Sequence, residues 1–86
     1  MDYIARTPSQ LGAVLKSCRK RKNLSQSVAG AKVGLTQRTV SVIEADAARS
    51  GVDTLYKLLS ALGLELVIRD KASDDEKTQR PNTGEW

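Results

Sequence analysis

Three side chains close to one another, Gln37, Arg38 and Ser41, are of the types that read the edges of bases. Arginine can grip O6 and N7 of guanine, glutamine can pair with N6 and N7 of adenine, and a small hydroxyl can serve either base. Within the segment LSQSVAGAKVGLTQRTVSVIE, Leu24 to Glu44, they fall on one outward face of a helix whose Val40 and Ile43 point inward. Val42 also points away and can touch a thymine methyl. The plain alternative is a solvated polar face on an ordinary surface helix. The spacing to a preceding short helix weighs against it, because two helices joined by a tight turn can set the second into the major groove.

Other residues suit phosphate. Ser25 and Gln26 open the preceding helix, where free amide N–H groups favour anions and a glutamine can reach the DNA backbone. For Ser25, ordinary capping holds at the same time. Arg49 and Ser50 lie just beyond the second helix, where they can touch phosphate or simply face solvent. Arg19 and Glu44 belong to a different set. Glu44 follows Val40 by four residues and shares its inward face, and Arg19 follows Leu15 in the same way. An inward carboxylate needs a partner, so a structural Arg19–Glu44 ion pair is expected.

These side chains need a scaffold. Thr7-Pro8-Ser9-Gln10 reads as a helix start with a capping box, and Leu11, Val14, Leu15 and Cys18 recur at helical spacing up to about Lys22. Asn23 is a left-handed terminator. Ser25 caps a second helix ending at Gly34, which supplies the positive φ of the turn. Thr36 caps a third, ending near Ala45. Gly30 within the second helix costs about 1 kcal/mol relative to alanine, which close approach of the third helix would offset. Asp46–Val52 reads as a loop. Asp53 or Thr54 opens a fourth helix with a Leu55, Leu58, Leu59 and Leu62 stripe, stopped by Gly63.

The segment Leu64, Glu65, Leu66, Val67, Ile68, Arg69 reads as a strand. One strand among four helices has no backbone partner within the chain. Its own copy in a second subunit is the simplest one, so a homodimer with a two-stranded intersubunit sheet is expected. Residues 70–86 are polar and acidic and are expected to form a flexible tail. Its final residue, Trp86, is either incidental or an anchor for another protein.

Composition narrows the function classes. The chain has 86 residues, one cysteine and no histidine. It can form one small domain, no intrachain disulfide and no zinc site. Nothing resembles a catalytic constellation, and no metal or cofactor is expected. No apolar run approaches about 20 residues, so a membrane span is not expected and a cytoplasmic location is. Residues 1–50 hold nine Lys/Arg against three Asp/Glu, and residues 51–86 hold five against seven. A basic front half suits a phosphate backbone.

Gln26, Gly34, Val40, Ile43 and Glu44, with a small residue at position 30, resemble the helix-turn-helix of Xre-type, lambda-repressor/Cro-like proteins over residues 9–62. That family has leucine where this chain has Ala29 and alanine where it has Gly30. The departure implies looser packing beneath the third helix, with Val28 compensating. The TPSQL opening, the LELVIRD segment and the Glu85-Trp86 ending resemble, more narrowly, the HipB antitoxins of HipBA-type toxin–antitoxin pairs. That resemblance implies an all-α, lambda-repressor-like bundle of about four helices whose C-terminal β-strand pairs across a homodimer. It implies a DNA-binding and dimerisation domain over residues 1–69 and an acidic tail over 70–86. It implies base contact by Thr36, Gln37, Arg38 and Ser41, phosphate contact by Gln26 and Thr39, and a toxin contact by Trp86. The implied partners are a palindromic double-stranded operator, a second copy, and a HipA-like Ser/Thr kinase toxin. Arg38 departs from the small residue expected there, so the operator sequence does not carry over. The rivals are a plain Xre-type regulator without a toxin, and an interaction module that no longer reads DNA.

Overall fold

Thr7 and Pro8 start the first helix where local chemistry places it. A computed structural model of the protein describes residues 2–71. In α1 (Pro8–Arg21) the Thr7 hydroxyl accepts from the Gln10 N–H at 3.1 Å. The Gln10 side chain reaches back to the Arg6 N–H at 2.7 Å, one residue earlier than a capping box would have it. The helix ends at Asn23, which takes the left-handed φ of 57°.

Ser25 caps α2 (Gln26–Ala31) by accepting from the Val28 N–H at 3.1 Å. This helix stops three residues short of Gly34. The Gly30 carbonyl accepts from the N–H groups of both Val33 (3.0 Å) and Leu35 (2.8 Å), which tightens the chain into the turn early. Gly34 then supplies φ 75°. Thr36 caps α3 (Gln37–Ala45) on the Thr39 N–H at 3.1 Å. The expected loop contains a 3-10 turn, Ala47–Arg49, capped by Asp46. The last helix, α4 (Val52–Ala61), opens behind Gly51 and not at Asp53 or Thr54. The Asp53 carboxylate accepts from the adjacent Thr54 N–H at 2.9 Å, inside the first turn.

The core draws on every helix. Leu15, Ala29, Val40, Ile43, Leu58 and Leu62 are fully buried, with Leu11, Leu24, Leu35, Leu55 and Leu64 packed around them. Each large member stabilises the fold by about 1.5–3 kcal/mol through burial. Cys18 is a small buried residue.

Two glycines set how closely the helices approach. A Cβ on Gly12 would lie 2.6 Å from the Glu44 carbonyl oxygen and 2.7 Å from that of Ile43. A Cβ on Gly30 would lie 2.5 Å from the Leu35 carbonyl oxygen. This corrects the expectation of loose packing at Ala29-Gly30. Ala29 is fully buried, Gly30 has no room for a methyl group, and Val28 compensates for nothing at 49% exposure.

After Gly63, residues 64–70 run on without regular structure, and there is no strand among the described residues. Leu64 packs on the core, whereas Leu66, Val67 and Ile68 are exposed. A strand requires a hydrogen-bonding neighbour, and a single chain offers none here. The N-terminal segment is pinned at two points. The Tyr3 hydroxyl bonds Arg21, whose guanidinium lies 5.4 Å from the Tyr3 ring centroid, and Asp2 pairs with Arg69 at 3.5 Å. No described helix is long and apolar enough to cross a membrane, and no group of metal-ligating residues is assembled among the described residues. Trp86 and all but the first two residues of the expected tail lie outside the described residues.

Candidate nucleic-acid interface

The two faces of α3 divide as its sequence demands. Val40, Ile43 and Glu44 are buried, whereas Thr36, Gln37, Arg38 and Ser41 are exposed and Thr39 and Val42 half-buried. Gly34 and the Thr36 cap fix where the helix begins, so these side chains share one outward surface. Arg38 makes no hydrogen bond or ion pair among the described residues, which leaves its fork of donors available. The Thr36 hydroxyl, by contrast, is engaged with the Thr39 N–H and, at 3.0 Å, with the Thr39 hydroxyl.

Beneath this surface lies the expected ion pair. Arg19 Nε donates to Glu44 Oε2 at 2.7 Å and Nη2 to Oε1 at 3.0 Å, across 25 residues of sequence. Arg19 Nη1 also donates to the Leu24 carbonyl at 2.7 Å. Hydrogen bonding to Glu44 pushes the Arg19 guanidinium further above its ordinary range, against the opposing effect of burial. The pair ties α1, the α1–α2 connection and α3 together.

The pair also has an outward extension that the sequence reading missed. Gln26 Nε2 donates to Glu44 Oε1 at 3.1 Å, and Gln37 Nε2 donates to Gln26 Oε1 at 2.7 Å. A continuous hydrogen-bonded chain thus runs from the core to the first residue of α3. Gln26 was expected on phosphate; here its amide bridges two elements. A glutamine at the start of each helix beside an inward glutamate is the signal that could have found this.

The expected phosphate residues differ in what they have to offer. The Ser25 oxygen accepts at its cap, which leaves the hydroxyl proton free to donate. Ser50 spends both its N–H (3.3 Å) and its hydroxyl (3.2 Å) on the Ala47 carbonyl. Arg49 is exposed, and with Arg38, Thr39, Val42, Ser50 and Thr54 it lines an open groove of about 290 Å³ between α3 and the start of α4. The groove adds Gly51 and Thr54 to the site and gives Val42, one turn beyond Arg38, a place in it.

Comparison with known proteins agrees with this geometry. A helix-turn-helix family model matches residues 15–68. Antitoxin HipB of Escherichia coli (strain K12) is 31% identical over 81 residues, covering 93% of this chain and 91% of that protein. A HipB–O4 20mer complex superposes with a TM-score of 0.77 at 27% identity, covering 83% of this chain and all of that one. A HipA–HipB–O2–O3 complex gives a TM-score of 0.78 at 27% identity, with the same coverage. An outward polar face on α3, a buried Arg–Glu pair beneath it and these likenesses agree: the chain belongs to the helix-turn-helix family, among the antitoxins of the HipB type.

Proposed function

We propose that this chain is a sequence-specific transcriptional repressor that also serves as an antitoxin. It would bind its own operon's operator and a HipA-type toxin, in the cytoplasm. The observation that carries the reading is α3, which holds Gln37, Arg38 and Ser41 outward while Val40 and Ile43 anchor it in the core. Base contact falls to Thr36, Gln37, Arg38 and Ser41, and backbone contact to Ser25, Gln26, Thr39, Arg49 and Ser50. Repression works by occupancy and involves no chemistry. The likeness to HipB solved with an O4 20mer, and with HipA and O2–O3, supports both partners.

In this reading residues 1–69 form the DNA-binding and dimerisation domain and residues 70–86 carry Trp86 toward the toxin. Leu64–Arg69 pairs with its copy in a homodimer. Exposed Leu66, Val67 and Ile68, and a backbone without strand partners, support that arrangement. Two copies of α3 then sit about 34–36 Å apart, one turn of duplex.

Footprinting on DNA upstream of the chain's own gene tests the proposal. Protection of two symmetric half-sites about one turn apart is expected. Deleting Leu64–Arg69 is expected to give monomers by sedimentation and to abolish the footprint; a persisting dimer would refute the strand pairing. Copurification with a neighbouring HipA-type protein, weakened by Trp86→Ala, is expected of an antitoxin. A footprint without copurification would leave a plain regulator, and copurification without a footprint an interaction module.

A further inference from the structure

We infer that residues 2–5 form a strap that covers the outer face of the two-stranded sheet in the dimer, with Ile4 packed on the Val67 side chains of the paired segments. The inference rests on the proposed pairing of Leu64–Arg69 with its copy. The path of the strap follows from its contacts. Tyr3 precedes the Thr7 cap by four residues, yet its hydroxyl and ring both meet Arg21, the last residue of α1. A helix of 14 residues is about 21 Å long, so residues 3–6 must double back along α1 to bring Tyr3 there. Ala5 is half-buried on the way. The segment after α4 arrives at the same end: a Cβ on Gly63 would lie 3.6 Å from Lys22 Nζ. Asp2 then meets Arg69 at 3.5 Å. That ion pair is exposed and adds little energy, but it places the strap beside the dimer segment.

Period two decides which face the strap covers. In an extended Leu64–Arg69, Leu64, Leu66 and Ile68 share one face and Glu65, Val67 and Arg69 the other. Leu64 already packs on the core, so its face turns inward. Arg69 is the residue that meets Asp2, so the strap lies on the other face, where Val67 is the apolar side chain. Two strands alone are marginal and need a packed face. The exposed surface agrees. Of the eight exposed large apolar side chains among the described residues, five belong to these two segments: Tyr3, Ile4, Leu66, Val67 and Ile68. Ile4 is 60% and Val67 67% exposed in the single chain. A two-fold axis through the paired segments brings both copies of each onto one surface, which favours a second copy as the occupant over an unrelated partner.

The test is Ile4→Asp in the full-length protein, because this side chain is exposed in the single chain and its loss leaves the helices untouched. Fluorescence-detected sedimentation over a dilution series gives the dimer dissociation constant, and circular dichroism checks the helical fold. Ile4→Asp is expected to raise the constant by roughly tenfold or more, since a two-fold interface carries the change twice. Tyr3→Ala, which releases the strap from Arg21, is expected to raise it by about threefold or more. The double variant should lose less than the product of the two, because a released strap no longer presents Ile4. An unchanged constant in Ile4→Asp would overturn the strap, as would a loss of helix. So would effects of the two changes that simply multiply. Deletion of Leu64–Arg69 separates this failure from that of the strand pairing. Monomers after the deletion, with normal dimerisation of Ile4→Asp, would sink the strap alone. A dimer that survives the deletion would remove the pairing and the strap with it.

Discussion

Glu44→Ala is expected to destabilise the fold by on the order of 3–5 kcal/mol, a large share of what so small a domain has. The change leaves the Arg19 guanidinium buried, with Nε and Nη2 deprived of their acceptor. Only the Leu24 carbonyl would remain as a partner. Arg19→Ala should cost a similar amount, because it leaves the buried carboxylate without its counter-charge, with the Gln26 amide still donating to it, and releases the Leu24 carbonyl. The pair itself is worth far less than either loss, since both charges were taken out of water to form it. Arg19→Met/Glu44→Leu should therefore be much milder than either single change. Urea unfolding of the wild type and these three variants checks the claim. Single losses below about 1 kcal/mol would mean that water reaches the pair. Arg19 adds no pH dependence near neutrality. A raised folded-state pKa contributes stability that is complete below the unfolded value and lost only as pH rises through the folded one, and both lie far above neutral.

Gly12→Ala and Gly30→Ala should also destabilise, against helix propensity. Propensity alone predicts a gain of about 1 kcal/mol for each, as both lie inside helices. The contacts predict the opposite. Every atom within 2.7 Å of the added Cβ belongs to a backbone carbonyl, and at Gly30 the Val40 Cγ2 follows at 3.1 Å. Carbonyls of α3 and the turn cannot swing aside like a side-chain end, so α1 or α2 must move off α3. A net loss of about 1–3 kcal/mol is expected for each. Gly34→Ala makes a useful contrast. Its Cβ meets nothing within 4 Å, but φ is 75°, so the cost should be the conformational one of about 1–2 kcal/mol. Thermal unfolding of the three variants gives the order. Stabilisation by alanine at position 12 or 30 would contradict the close approach.

Features that depend on a few neighbouring residues were legible in the sequence. Thr7, Ser25 and Thr36 cap as their types require, Asn23 and Gly63 take the left-handed φ just past α1 and α4, and Gly34 takes it in the turn between α2 and α3. The Arg19–Glu44 pair was legible across 25 residues because an inward charge demands an opposite one. What escaped depends on distances between elements. The early end of α2 follows from two donors converging on one carbonyl, and no local pattern announces that. The tightness at Gly30 is of this kind: a small residue is a deficit of volume by composition alone, but the Leu35 carbonyl already fills the space. The bridge from Gln26 to Gln37 needed both ends in place before it could be seen. The segment 64–69 reads as a strand by composition but can become one only with a partner.

Operator affinity of the Gln37→Ala and Arg38→Ala proteins, at one fixed salt concentration and beside an unrelated duplex of equal length, tests most directly that α3 reads bases. Each change should cost about 1–3 kcal/mol on the operator, while binding to the unrelated duplex falls much less. Unchanged operator affinity in both variants, or equal losses on both duplexes, would contradict base reading by this helix.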